Sequence, residues 1–234
     1  MGGGGGPSNR QMQAEPIFKY RLTFSKGRRV KYIGHLDTVL SWTRAFRRAQ
    51  LPMAYSKGFN PRARIQVAAS LPLGYIGREE LMDICLTHQV ESNEILASVG
   101  SALPEGFTLL NVKEIDPKSP PMQNLLIQAG YGVTAETDLP QAELQQRIEN
   151  LLAADEIIQT RIRRKKKRQK EEAYNLRPLL HHLALESVAD GDARFTMRLS
   201  TGQNGHLRPE AVLQALGLGD IWHEVERLKL IFNC

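Results

Sequence analysis

Within ten residues, the segment Tyr55-Ser56-Lys57-Gly58-Phe59-Asn60-Pro61-Arg62-Ala63-Arg64 gathers cations suited to phosphate, an aromatic face suited to a base, and an amide suited to a base edge. Lys57, Arg62 and Arg64 are the candidate phosphate contacts, Phe59 the stacking surface and Asn60 the reader. Gly58 permits a backbone turn that other residues resist. Cations interleaved with Tyr55 and Phe59 suit single-stranded or looped RNA better than a plain run of charge does. The purely structural alternative is that Phe59 plugs a core and Asn60-Pro61 simply turns the chain.

A second candidate is Gly34-His35-Leu36-Asp37, where a strand gives way to a helix. His35 has the chemistry of a general base or of a nucleic-acid contact. Asp37 either orients it or is a first-turn carboxylate favoured by the helix dipole. The other histidines, His181, His182, His206 and His223, lack metal-ligand spacing, and adjacent strand residues such as His181 and His182 point to opposite faces. The run Leu199–His206 is a strand-to-helix loop with two glycines, a weak phosphate-accepting pattern. Cys85 lies in an apolar stretch and reads as a core residue, and Cys234 is remote from it, so neither a zinc site nor an iron–sulfur cluster is expected. No P-loop, dinucleotide fingerprint, nucleophile elbow or HExxH is present. No cofactor and no metal are expected.

The charge is unevenly distributed. Phe18 to Arg64 holds twelve Lys and Arg against one acid, Asp37, and Arg161 to Lys170 (RIRRKKKRQK) holds eight basic residues and no acid. Of 31 basic and 25 acidic residues, eleven and twenty-four respectively remain outside these zones. Two basic zones on an otherwise acidic chain indicate a phosphate backbone as partner. The second zone has no aromatic or leucine face to insert into a membrane, and no run approaches the roughly 20 apolar residues of a transmembrane helix. Residues 1–16, with five consecutive glycines and no apolar signal core, read as a disordered tail, and a cytoplasmic address is expected.

The elements that must position these residues follow from periodicity. Ile17 to Phe24 alternates as a half-buried strand. Leu36, Val39, Leu40, Thr43 and Phe46 recur at helical spacing, with Asp37, Ser41, Arg44 and Arg48 on the opposite stripe. Strands at Ile65–Ala69 and Leu81–Thr87, a helix over Glu91–Leu103 and a strand at Phe107–Ile115 complete βαββαβ over 17–116. A Pro-rich linker at 117–123 follows. Over 124–234 the order returns: a strand within Leu125–Glu136, a helix through Leu144 and Ile148, strands at Ile157–Ile162 and Ala193–Leu199, a helix over Leu207–Leu216 and a strand at Arg227–Phe232. The expected fold is α+β, two tandem ferredoxin-like halves, with a basic insertion at 161–172 between the middle strands of the second.

Two long stretches, FSKGRRVKYIGHLD (Phe24–Asp37) and AYSKGFNPRARI (Ala54–Ile65), resemble the bacterial family of radical-SAM-linked proteins of unknown function. NLRPLL (Asn175–Leu180) and LRPEAVL (Leu207–Leu213) extend a looser similarity over most of the chain. The resemblance implies a separately encoded radical-SAM protein as partner, since this chain has no CxxxCxxC motif. It also implies that His35 and Asn60 line one site. The resulting expectation is a module without independent catalysis that presents an RNA of the tRNA or rRNA class to that enzyme. Its contacts would be Lys26, Arg28, Arg29, His35, Arg44, Arg48, Lys57, Phe59, Asn60, Arg62 and Arg64, with Arg163, Arg164, Lys165, Lys166, Lys167 and Arg168 in the second zone.

Two other readings compete. Tandem ferredoxin-like halves with a histidine near the first helix are also similar to CRISPR RNA-processing endonucleases, which cut without metal. His35 would then be the general base, with Lys26 or Lys31 stabilising developing phosphate charge. Against this, no glycine-rich loop precedes the final strand. The third reading is a protein–protein adaptor whose basic run docks an acidic partner.

Overall fold

The computed structural model describes residues 17–165, 168–203 and 205–233, with the backbone alone over 161–165 and 168–170. The fold is α+β. In β1 (Phe18–Lys26) the alternation is realised: Tyr20, Leu22 and Phe24 are buried on one face, while Lys19 and Arg21 turn to the other and pair with Asp83. β1 lies antiparallel between β3 (Ile76–Leu86) and β4 (Phe107–Ile115), and the short β2 (Ile65–Val67) pairs with the far end of β3. The helices α1 (His35–Arg48) and α2 (Ser92–Ala102) supply buried side chains to the same core as Tyr20, Leu22 and Phe24.

The buried face of α1 differs from the expected one. Thr38, Trp42, Ala45 and Phe46 are buried, whereas Leu36 is 81% and Leu40 45% exposed. The aromatic packing accounts for the rotation. Trp42 meets Phe24 edge-on at 4.8 Å and Phe107 at 6.2 Å between ring centroids, and these rings bury more apolar area than the leucines can.

After β4 come α3 (Met122–Leu125), which begins inside the expected linker, β5 (Leu126–Glu136), α4 (Gln141–Ala153), β6 (Ile158–Lys165), β7 (Arg168–Asn175), β8 (Leu180–Ala189), β9 (Asp192–Ser200), α5 (Pro209–Ala215) and β10 (His223–Phe232). The expected place of the basic insertion requires correction. The strand at Ile157–Ile162 belongs not to the main sheet but to a separate hairpin, β6–β7, lying between α4 and β8. The second strand of this half is instead β8.

The main sheet has eight strands, in the order β4-β1-β3-β10-β5-β9-β8 with β2 beside β3. The halves meet where β10 runs parallel to β3 over two pairs, Ile76 with Glu226 and Gly77 with Arg227. Buried hydrophobic residues among those described form two clusters, one in each half. Tyr75, from the connection before β3, is buried in the second cluster. The seam between the halves is ionic. Arg28 and Lys31 both pair with Glu224, Arg78 pairs with Glu226 at 2.7 Å, and the buried Arg227 and Glu80 pair with each other.

Candidate nucleic-acid interface

The loop singled out by its residue types is a closed excursion. Tyr55 and Ala63 bridge across its neck, where the Ser56 amide donates to the Arg62 carbonyl at 2.8 Å and the Arg62 amide to Ser56 Oγ at 3.0 Å. Beyond this neck Gly58 has φ +131°, and a Cβ placed there would find no atom within 4 Å, so backbone conformation and not crowding favours glycine. Phe59 is fully exposed and plugs no core. Lys57, Asn60, Arg62 and Arg64 are exposed as well. Among the described residues, Lys57, Arg62 and Arg64 form no ion pair.

The other cations of the first zone divide sharply. Lys26 is 2% exposed, and its Nζ donates to the Lys31 and Ile33 carbonyls at 3.2 and 2.7 Å. Burial pushes its ammonium pKa down, and the two carbonyls occupy its donors. Lys26 thus clamps the turn into α1. Lys31 is committed to Glu224 at 2.9 Å, as is Arg28, and Arg29 pairs with Glu105. Arg48 donates to the Ala102 carbonyl. Arg44 is exposed. The acids that quench this zone come from far along the chain, which a count within the zone cannot reveal.

His35 is exposed at the start of α1, on the rim of a small cavity that also includes Lys26, Thr38 and Glu80. Asn60 is not among that cavity's walls. Asp37 lies in the first helical turn, and Gly34, not Asp37, holds the capping position. Lys26 and Lys31, the two cations of the cleavage reading, both have partners, Lys26 in backbone carbonyls and Lys31 in Glu224. Among the described residues no group of His, Cys, Asp and Glu is placed to hold a metal ion, and no helix is long and apolar enough to cross a membrane. Burial raises the Cys85 thiol pKa. Cys234 lies outside the described residues.

The second basic zone forms a ribbon. Its register sets Arg163 opposite Lys170, Arg164 opposite Gln169 and Lys165 opposite Arg168, with Lys166 and Lys167 outside the described residues. Like charges at directly opposed positions destabilise strand pairing. At its base, Gln159 donates to the Ala211 carbonyl of α5 at 3.0 Å.

Residue types give no sign of a cavity of about 530 Å³ over the seam, with walls from both halves including Leu71, Tyr75, Tyr131, Gln203, His206 and Arg208. The glycine loop before α5 contributes to it. Gly202, at φ +99°, passes so close to the Leu126 carbonyl that a Cβ would lie 2.1 Å from the oxygen. Asn204 lies outside the described residues. Tyr75 Oη donates to the Glu210 carboxylate at 2.7 Å, and burial together with Glu210 raises the phenol's pKa far above its usual value. His206 shares a 3.1 Å hydrogen bond between Nδ1 and the Thr201 hydroxyl, and burial, then Arg208 and Arg227, lower its pKa. An exposed apolar row is the other unforeseen feature: Leu36 and Leu40 on α1, with Tyr32 76% and Leu73 64% exposed beside the turn where the Gly74 amide meets the Lys31 carbonyl.

No curated protein is similar enough to be matched to this chain. Among solved structures, a Cbf5–Nop10–Gar1 complex is similar at 15% identity and a TM-score of 0.49, covering 90% of this chain and 48% of that one. An H/ACA RNP bound to a substrate RNA containing 2'-deoxyuridine follows at 12% identity and 0.46, with 90% and 47% covered. An unknown protein from Galdieria sulphuraria is similar at 12% identity and 0.27, with 92% and 100% covered. The chain thus spans about half the length of the first two. A family model described as an uncharacterized protein conserved in bacteria matches residues 19–209, and the chain belongs to that family, DUF2344.

Proposed function

We propose that the protein is an RNA-binding module of two ferredoxin-like halves that presents an RNA of the tRNA or rRNA class to a separate radical-SAM enzyme. The strand order supports the ferredoxin-like reading, since each half contributes its strands in the order fourth, first, third, second: β4-β1-β3-β2 and β10-β5-β9-β8. The observation that carries RNA recognition is the fully exposed Phe59, held at the end of a pinned loop among Lys57, Asn60 and Arg62. An aromatic ring left in water forgoes about 1.5–3 kcal/mol of burial, and stacking on an unpaired base recovers it. The β6–β7 ribbon supplies phosphate contacts that carry no sequence information. The exposed apolar row on α1 is where the partner protein docks, which accommodates the adaptor reading within the same molecule.

The test is binding to a tRNA-like hairpin, a matched duplex DNA and an unstructured RNA across a salt series. Intact protein should prefer the hairpin at physiological salt. The variants Phe59→Ala and Asn60→Ala/Arg62→Ala should lose that preference, with affinity reduced about tenfold or more. Weak and equal binding of all three ligands by the intact protein refutes RNA recognition.

A further inference from the structure

The cavity over the seam is the start of a longer trough. A second cavity of about 870 Å³ shares His206 and Arg208 with it and reaches Gln159, Thr160 and Tyr174 at the base of the β6–β7 ribbon. The trough therefore runs from the ribbon that carries the basic zone, past the start of α5, to the line where the two halves meet. Its chemistry changes along the way. The ribbon end is polar, walled by Gln159, Thr160 and Tyr174 with Glu210 and Asp220 beside them, and the basic residues of the ribbon begin further along its strand at Arg161. Arg208 stands at the junction without an ion pair among the described residues, and the seam end is walled by Leu71, Pro72, Tyr75 and Tyr131.

The charged groups at the seam end already have partners. The Arg227 guanidinium is taken by Glu80 and by the Ala69 and Ser70 carbonyls. The Glu210 carboxylate accepts from the Tyr75 hydroxyl. His206, its pKa lowered by burial, keeps Nε2 without a partner among the described residues, and the exposed Gln203 adds an amide. Apolar and aromatic walls, a neutral imidazole and an amide match a planar heteroaromatic ring with hydrogen-bonding edges. The volume lies within the roughly 300–1,000 Å³ of small-ligand sites.

We propose that the seam cavity receives one unpaired nucleobase of an RNA strand, whose backbone passes Arg208 and continues along the trough to the basic ribbon. This rests on the RNA-binding reading and deepens it. The Tyr55–Arg64 loop is outside the trough, so the cavity is a second reading point on the same molecule.

The test uses the full chain and a hairpin RNA whose single-stranded tail carries 2-aminopurine at one position at a time. The cavity is filled from an exposed wall position by Ser70→Trp and, separately, Arg208→Gln removes the cation at the junction. Thermal midpoints of both variants establish that they fold. The intact chain should alter the emission of one tail position, Ser70→Trp should abolish that change, and each variant should bind the tailed hairpin about tenfold more weakly. Unchanged emission at every tail position, with the hairpin still preferred over duplex DNA, overturns the cavity site and leaves the RNA reading intact. Failure of the intact chain to prefer any RNA overturns both. Adenosine or uridine monophosphate bound as tightly as the tailed RNA, and lost in Ser70→Trp, overturns the strand as the source of the base.

Discussion

A histidine whose pKa is lowered by its surroundings ties stability to pH in one direction. Burial, then Arg208 and Arg227, lower the pKa of His206, and burial, then Arg198, lower that of His181. In both cases the unfolded chain takes up its proton near the ordinary value of 6.5 and the folded chain only at lower pH. Stability from these residues is fully present above that pH and is lost as pH falls through the lower folded values. The thermal midpoint is expected to drop between pH 7.5 and 5.5, and His181→Gln/His206→Gln should flatten that dependence; an unaltered slope in the double variant contradicts the assignment. Residue types alone carried part of this scale. Phe59, Asn60 and Arg62 stand in solvent as their chemistry suggests, since a turn glycine precedes them and Pro61 falls among them. Lys26 was illegible because a lysine's neighbours in sequence do not disclose burial. Arg28 and Lys31 were illegible because their partner, Glu224, lies 196 and 193 residues away.

At the level of elements, β1, β4 and β9 were legible and lie within a few residues of their expected limits. β8 was not, and its register explains why. Irregularities between Leu180 and His182 and between Leu185 and Ser187 break the period of two that marks a half-buried strand. β7 carries Arg168, Lys170, Glu171 and Glu172 and has no apolar alternation to read. The face of α1 is ambiguous in the sequence because Leu36 and Leu40 satisfy helical spacing as well as Trp42 and Phe46 do, and only the aromatic contacts decide between them. The β6–β7 ribbon forms a sheet of its own, so its outer part is dispensable for the fold. Replacing residues 162–171 with Asn-Gly, a preferred two-residue hairpin turn, should leave the thermal midpoint unchanged. It should reduce the dependence of log affinity for RNA on log salt by roughly 0.7 for each phosphate that the ribbon no longer neutralises. An unchanged salt dependence places the phosphate-binding cations elsewhere.

In the whole molecule, the central structural fact is that two halves with a core each are joined by two backbone pairs, an ionic clasp and Tyr75, which the first half buries in the core of the second. Arg227 and Glu80 have side chains 3% and 2% exposed, so removing one charge strands the other in a medium that solvates it poorly. Glu80→Gln should cost about 3–5 kcal/mol in equilibrium unfolding, and Glu80→Leu/Arg227→Met distinctly less, because no lone charge is then left behind. Equal losses in the two variants indicate that shape and not charge governs the position. Nothing in the sequence pairs these residues in advance.

That clasp also orders events in time. Its ion pairs join residues 147 to 196 positions apart, whereas within the first half β1 pairs with β3 and β4 across a much shorter stretch of chain. Loop-closure entropy opposes distant pairings more than near ones and slows their formation, so each half consolidates before the two dock. The seam cavity, having walls from both halves, comes into existence only with that final docking. Assembly of the seam cavity during refolding is therefore expected to be a late event, trailing the return of the buried environment around Trp42.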